Sequence, residues 1–267
     1  KDLYILSRSK INQQPVMASS ETALERKKNV LIKFNDEQRN ILKRYFDNLD
    51  NSFFNKNDTE SLSWQSGLII KNQNKNIVVG CKAIFENLIK IFIKVENSQG
   101  LFYKFTKVLE RSGLEVIDAN IFSSIDNKVA ANTFITKFSH HDRILSKSEL
   151  KELKKRIEKN FLEFNEITDK KNRIANKKNS FEKVINITHS INKNKKRNLL
   201  TIETSDSYGL LAKIAKVFFE NDVSIFSARI NTLGDRVEDT FEIENLDSSL
   251  IENKKVKNIV AVLKKVV

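Results

Sequence analysis

Two short stretches decide the fold of this chain: Asn97-Ser98-Gln99-Gly100-Leu101 and Asp206-Ser207-Tyr208-Gly209-Leu210, which lie 109 residues apart. Each carries an acidic or amide residue, two variable residues and then Gly-Leu. The same offset relates the apolar residues on both sides of the two stretches. The sequence therefore contains an internal repeat.

Each stretch lies between a predicted strand and a predicted helix. Upstream, Ile91 and Ile93 match Leu200 and Ile202 in alternating apolar runs, which predict half-buried strands. Downstream, apolar residues recur at i, i+1, i+4, i+7 and i+8, which is one face of an amphipathic helix. The matched sets are Leu101, Phe102, Phe105, Val108 and Leu109 in the first copy and Leu210, Leu211, Ile214, Val217 and Phe218 in the second.

The match continues through two more strands and a closing helix. The second strand is carried by Leu114, Val116, Ala119 and Ile121 in one copy and by Val223, Ile225, Ala228 and Ile230 in the other. Third strands end near Thr133-Phe134 and Thr240-Phe241, so the second hairpin is two residues shorter, with its turn at 233–235. Helices over 148–164 and 249–265 close the units. We predict an α+β fold of two tandem ferredoxin-like βαββα units that pair edge to edge or face to face.

The remaining sequence predicts a helical segment and a connector. Periodicity predicts helices over 21–33 and 36–49, with Asp36 as N-cap, and a capping loop with a short helix over 51–65. Further strand-like pieces lie at 77–81 and within 181–191. The expected organisation is a helical segment over 1–76, a first domain over 77–164, a connector over 165–197 and a second domain over 198–267.

The Gly-Leu corner of each unit is the candidate binding site. A helix start offers backbone N–H groups and a partial positive charge, which favour a carboxylate, and glycine lets a ligand approach the backbone. The short polar residue before it can contact an ammonium group. The predicted ligand-binding residues are Asp206, Ser207, Gly209 and Leu210 in the second copy and Asn97, Gly100 and Leu101 in the first, with Ser227 and Arg229 as further candidates. An alternative stays open, in which Asn97 and Asp206 only cap the helices and the glycines only tighten the turns.

The repeat resembles tandem ACT domains. More sharply, residues 206–214 together with 227–241, from Ser227-Ala228-Arg229 to Asp239-Thr240-Phe241, are similar to the end of the bifunctional PII uridylyltransferase/uridylyl-removing enzymes. The family's usual proline before the glycine is replaced here by Gln99 and Tyr208, and Asn97 stands where an aspartate is common. The second site is therefore the stronger candidate.

The resemblance implies a regulatory function. It implies a chain that binds glutamine or another free amino acid and controls the uridylylation and deuridylylation of the PII signalling protein in nitrogen regulation. A cytoplasmic location is expected. The other hypothesis that stays open is a stand-alone ACT module for amino-acid binding or oligomerisation.

No catalytic residue is predicted in this chain. The family's nucleotidyltransferase chemistry needs paired aspartates that hold Mg²⁺, and its HD phosphohydrolase chemistry needs a His with a His-Asp pair and further metal ligands. His140-His141-Asp142 imitates the latter, but a loop explains it better. We expect part of a longer enzyme without either catalytic domain, with Mg²⁺ in those domains and no cofactor or metal here.

The composition of the chain bears on nucleic-acid binding, on disulfide formation and on membrane insertion. The net charge of +13 raises the possibility of nucleic-acid binding. Lysine outnumbers arginine roughly three to one, however, and lysine lacks the planar fork that reads phosphates and bases, so no specific nucleic-acid partner is expected. Cys81 is the single cysteine, so no intramolecular disulfide is possible. No run of 18 or more apolar residues occurs, so we expect no membrane span.

Overall fold

A computed structural model describes residues 22–85, 87–138, 144–164, 185–192, 197–207, 209–230, 232–233 and 236–267. The chain divides into two compact units, Lys1–Gln73 and Asn74–Val267. The first unit is helical in its described residues, and the second contains both copies of the repeat.

The described residues of the first unit form four helices: α1 (Ala23–Leu31), α2 (Asp36–Asp47), α3 (Asn51–Lys56) and α4 (Thr59–Lys71). Its core is aromatic. Phe54 is fully buried and makes edge-on contacts with Phe46 and Phe53, at ring-centroid distances of 5.2 and 5.3 Å. Edge-on aromatic pairs add about 0.5–1.5 kcal/mol beyond the area that they bury, so these rings hold the helices together.

The structure corrects two details of the prediction for this unit. Asn35, and not Asp36, is the N-cap of α2, because its side chain accepts a hydrogen bond from the Gln38 amide at 2.9 Å while Gln38 Oε1 accepts one from the Asn35 amide. This reciprocal pair is a capping box, and only position 35 lies three residues before a glutamine. The capping loop with a short helix predicted over 51–65 is replaced by two helices, since α3 and the first part of α4 occupy most of this range.

The second unit holds two antiparallel sheets. The first contains β1 (Ile77–Phe85), β2 (Leu88–Glu96), β3 (Leu114–Asn120) and β4 (Val129–Phe138), with helices α5 (Leu101–Arg111) and α6 (Lys147–Leu162). The second contains β5 (Asn186–Asn192), β6 (Arg197–Ser205), β7 (Val223–Arg229), β8 (Thr232–Leu233) and β9 (Arg236–Asn245), with helices α7 (Leu210–Glu220) and α8 (Asn253–Val266). The predicted α+β fold of two tandem ferredoxin-like units is therefore confirmed.

The strand order is the same in both copies. It is β1-β2-β4-β3 in the first sheet and β5-β6-β9-β7 in the second, with the short β8 paired to β9. The strand that precedes each βαββα unit lies beside the unit's first strand and completes a four-stranded path. The closing helix of the second copy begins at Asn253, four residues later than predicted.

The register confirms the repeat. Thr133 lies opposite Phe92 in the first sheet, and the equivalent Thr240 lies opposite Thr201 in the second. Strands β3 and β7 also carry a register shift at equivalent points, between Val116 and Asp118 and between Ile225 and Ser227. Equivalent bulges are features that sequence periodicity does not reveal, and they bend both strands in the same way.

The two copies lie side by side. Helix α5 packs against α7, and strand β3 lies near β7, so the sheets meet at their edges. A single apolar cluster runs through both copies and includes Phe105 and Phe241, which are fully buried. Each such ring contributes about 1.5–3 kcal/mol by leaving water. Of the two predicted arrangements, the structure adopts the edge-to-edge one.

Candidate functional site

The Gly-Leu corners have the same backbone geometry in both copies. Gly100 has φ 74° and ψ 5°, and Gly209 has φ 72° and ψ 11°. This left-handed conformation costs an L-residue about 1–2 kcal/mol, which explains glycine at both positions. Each glycine is itself the N-cap of its helix, without a side-chain cap or an acidic residue in the first turn. Asn97 and Asp206 therefore do not occupy the N-cap position.

Asn97 has a structural role that needs an amide. Its Nδ2 donates to Asn127 Oδ1 at 2.6 Å and lies 3.2 Å from the Asn127 carbonyl oxygen and 3.3 Å from Ser123 Oγ. An aspartate could donate none of these hydrogen bonds. The Asn97 amide thus links the end of the first strand of the unit, β2, to the hairpin between β3 and β4. The corresponding hairpin of the second copy is shorter.

Two pockets lie between the copies, one at each corner. The Asn97 pocket measures about 310 Å³ and is lined by Asn97, Gly100 and Leu101 among others. The Asp206 pocket measures about 200 Å³ and is lined by Asp206, Ser207, Gly209 and Leu210 among others. The predicted residues thus fall into two sites, one for each copy, and Ser227 and Arg229 line neither.

Each corner is completed by the end of the other copy's first helix. A Cβ at Gly100 would lie 2.6 Å from two carbons of the Phe219 ring, so this ring covers the Gly100 backbone. A Cβ at Gly209 would lie 3.5 Å from Glu110 Oε1. Phe219 and Glu110 are equivalent at the 109-residue offset. The contact is therefore reciprocal, as in an isologous interface between two subunits.

Charge separates the two pockets. The described lining of the Asp206 pocket contains four carboxylates and no basic side chain, whereas the described lining of the Asn97 pocket contains no charged side chain. The four carboxylates are those of Glu110, Glu115, Asp206 and Asp239, and their counterparts in the Asn97 pocket are Phe219, Ser224, Asn97 and Asn132. The duplication has thus produced one anionic and one neutral pocket.

Two further features distinguish the Asp206 pocket. The Ser207 hydroxyl oxygen is fully buried and has no hydrogen-bond partner among the described residues, which costs about 1–3 kcal/mol unless a ligand binds it. Ala212 lines this pocket where the Asn97 pocket has Tyr103, whose ring stacks on Phe219 at 6.1 Å. The Phe219 ring of this stacked pair covers the Gly100 backbone, whereas the Gly209 corner has a small residue and an acid instead.

The acids Glu110, Glu115 and Asp239 were missed at the level of the sequence. Glu110 and Glu115 belong to the other copy, and Asp239 lies on β9, far along the chain from the Gly209 corner. The signal was present in the comparison of the copies, where Glu110 stands opposite an aromatic residue at the offset of 109, and Asp239 stands opposite an amide at the offset of 107 that follows the shorter hairpin.

The described residues contain neither a cluster of metal ligands nor a helix that could span a membrane. No three His, Cys, Asp or Glu side chains there converge on a point that could hold a metal ion. His140-His141-Asp142 lies outside the described residues. None of the described helices combines the length and the apolar character that crossing a bilayer requires.

The fold and the corners define the class of this chain: a tandem pair of ferredoxin-like units with paired pockets at their shared interface. Its sequence is similar to proteins named bifunctional uridylyltransferase/uridylyl-removing enzyme. The identity is 24% over 227 residues with that of Psychrobacter sp. strain PRwf-1, which covers 80% of this chain and 25% of the relative. It is 27% over 227 residues with that of Acinetobacter baumannii strain AYE, and 25% over 202 residues with that of Burkholderia vietnamiensis. The resemblance drawn from the sequence is confirmed.

These matches cover only part of each relative. The chain spans about a quarter of the length of the curated relatives that it matches. No family model matches the chain. Among solved structures, an aspartate kinase from Synechocystis is similar at 11% identity and a TM-score of 0.36, over 67% of this chain and 26% of that one. A likeness at this score supports no conclusion about function.

Proposed function

We propose that this chain is the amino-acid-sensing, regulatory part of a bifunctional uridylyltransferase/uridylyl-removing enzyme, and that free glutamine binds in its Asp206 pocket. The observation that carries the proposal is the Asp206 pocket itself, in which an uncapped helix start and acidic side chains line one cavity between the copies. The similarity to enzymes of that name over about four-fifths of the chain supports the parent activity.

The pocket matches the chemistry of a zwitterion. The start of α7 has no side-chain cap and no acid in its first turn, so its partial positive charge is available to a carboxylate. The carboxylate groups of Asp206 and Glu110 line the same cavity and suit an ammonium group. The buried Ser207 hydroxyl can exchange a hydrogen bond with the ligand. A free amino acid carries the two charges that this arrangement recognises.

Regulation follows from where the pocket lies. Its walls come from both copies, so a bound ligand favours the arrangement in which the copies are correctly placed. A ligand shifts an equilibrium only through its different affinity for the two states. In the proposed parent, glutamine would thereby shift the balance between uridylylation and deuridylylation of the PII signalling protein.

Titration calorimetry on the 267-residue chain tests the proposal. We expect heat of binding with millimolar glutamine, and a loss of binding in Asp206→Asn, which introduces the residue of the first copy at an equivalent position. Asparagine serves as the comparison ligand, and far-UV circular dichroism checks the fold of the variant. Absence of binding heat and of any thermal shift with glutamine would refute amino-acid sensing.

A further inference from the structure

The two pockets are equivalent by duplication but opposite in the charge of their walls. Four positions that are neutral in the Asn97 pocket carry carboxylates in the Asp206 pocket. The described residues hold no metal cluster, so these carboxylates do not converge on an ion. Ser207 lines the same cavity, and its buried hydroxyl oxygen has no hydrogen-bond partner among the described residues, so this end of the cavity has a polar group that a ligand could satisfy.

Glu110 is the acid best placed to meet such a ligand. Its Oε2 accepts a hydrogen bond from Lys107 Nζ at 2.8 Å, and its Oε1 points to the Gly209 corner, 3.5 Å from where a Cβ would lie. The Lys107 and Glu110 side chains are only 20% and 21% exposed. The ion pair thus holds the carboxylate in place before any ligand arrives, which reduces the entropy lost on binding.

The position of Glu110 in its helix also needs an explanation. It lies in the last turn of α5, where the helix dipole disfavours a negative charge. The equivalent residue of the second copy is Phe219, which packs on the Gly100 corner. The ion pair with Lys107 offsets this cost, and the carboxylate in place of the aromatic ring gives the Gly209 corner an acid.

We propose that Glu110, contributed by the first copy, holds the ammonium group of an amino acid bound in the second copy's pocket, and that the pocket's carboxylates exclude amino acids with a side-chain carboxylate. This inference rests on the proposed amino-acid binding and adds the residue and the charge rule that select the ligand. Glutamine satisfies the rule, whereas glutamate brings a second negative charge into an anionic cavity and is rejected.

The test measures how the ligand's ammonium group and Glu110 depend on each other. Calorimetry on the full chain compares glutamine, glutamate and glutaramic acid, which is glutamine without its ammonium group. In the wild type we expect glutamine to bind at least about tenfold more tightly than either analogue, the usual effect of one charge-assisted hydrogen bond. In Glu110→Gln the affinity for glutamine falls by about tenfold or more, and the preference over glutaramic acid falls with it.

Two matched variants separate recognition from stability. Lys107→Gln breaks the same ion pair but keeps the carboxylate, so it retains the preference for the ammonium group. Glu220→Gln removes a paired glutamate at the end of the equivalent helix α7, outside both pockets, and leaves binding unchanged.

The failure of this inference differs from the failure of the proposed function. Equal binding of glutamine and glutamate would overturn the exclusion of side-chain carboxylates. An unchanged preference for the ammonium group in Glu110→Gln would overturn the role of Glu110. A wild-type chain that binds none of the three ligands would overturn amino-acid sensing and this inference with it.

Discussion

Alanine at position 100 would place a methyl group 2.6 Å from two carbons of the Phe219 ring, a distance that real Cβ contacts do not tolerate. The same substitution at Gly209 meets the Glu110 carboxylate at ordinary contact distance, 3.5 Å from Oε1. Both glycines have nearly the same positive φ, 74° and 72°, so the backbone cost of about 1–2 kcal/mol is common to the two variants. Overpacking adds about 1–3 kcal/mol at Gly100 alone. We therefore expect Gly100→Ala to lower the free energy of unfolding by about 2–5 kcal/mol and Gly209→Ala by about 1–2 kcal/mol.

Urea unfolding followed by far-UV circular dichroism measures both values. A double-mutant cycle then isolates the clash, because Phe219→Ala removes the ring that the new methyl group meets. In the Phe219→Ala background, Gly100→Ala should cost only the backbone term, which gives a coupling of about 1–3 kcal/mol. Equal destabilisation by the two alanine substitutions, or no coupling between positions 100 and 219, would refute the reciprocal contact between the copies.

One labelling experiment and two substitutions test other parts of the structure. Burial raises the pKa of the Cys81 thiol to about 12, so only about 10⁻⁴ of the thiol is ionised at pH 8. Because the thiolate is the reactive form, a disulfide reagent should label Cys81 far more slowly in the folded chain than in urea. Glu244→Gln should cost about 1–3 kcal/mol of stability, because Glu244 Oε2 accepts a hydrogen bond from Arg197 Nε at 2.6 Å in a largely buried ion pair. Asn97→Asp should lower stability by about 1–2 kcal/mol, because an aspartate cannot donate to Asn127.

Each of these has an internal comparison. Thiol labelling of folded Cys81 at the rate seen in urea would contradict its burial. Glu152→Gln removes a partner of an exposed ion pair with Lys155, in which the Glu152 and Lys155 side chains are 74% and 63% exposed, and should leave stability unchanged within about 0.5 kcal/mol. If Glu244→Gln also left the free energy of unfolding unchanged, the Arg197–Glu244 ion pair would make no net contribution to stability. A neutral or stabilising Asn97→Asp would show that the hairpin does not depend on the amide.

Much of the fold followed from local patterns. Helices α5 and α7 and the strands around them were predicted because apolar periodicity is a property of each segment by itself, and the 109-residue offset supplied every pattern twice. Local competition explains the error at Asn35, since Asn35 and Asp36 are both good N-cap residues and only the partner Gln38 decides between them. The prediction of one short helix within 51–65 did not divide this range into α3 and α4, because the six residues of α3 carry little periodic signal.

The sequence predicted the residues that each copy contributes to its own pocket but not those that the other copy contributes. The residues of each corner were found because Gly-Leu at a helix start is a local motif. Glu110 and Glu115 were not found, because a single sequence does not state which surface of one copy meets the other. The mismatch between Glu110 and Phe219 was visible at the offset. Its meaning required the side-by-side packing of α5 and α7, which brings each of these residues onto the other copy's glycine.

The stoichiometry of glutamine binding tests the central claim most directly. The Asp206 pocket has the carboxylates that suit an ammonium group, whereas the described lining of the Asn97 pocket has no charged side chain. Calorimetric titration of the full chain with glutamine should therefore give one ligand per chain, and Asp206→Asn should abolish the heat. Two equal sites per chain, or binding that persists in Asp206→Asn, would contradict the account.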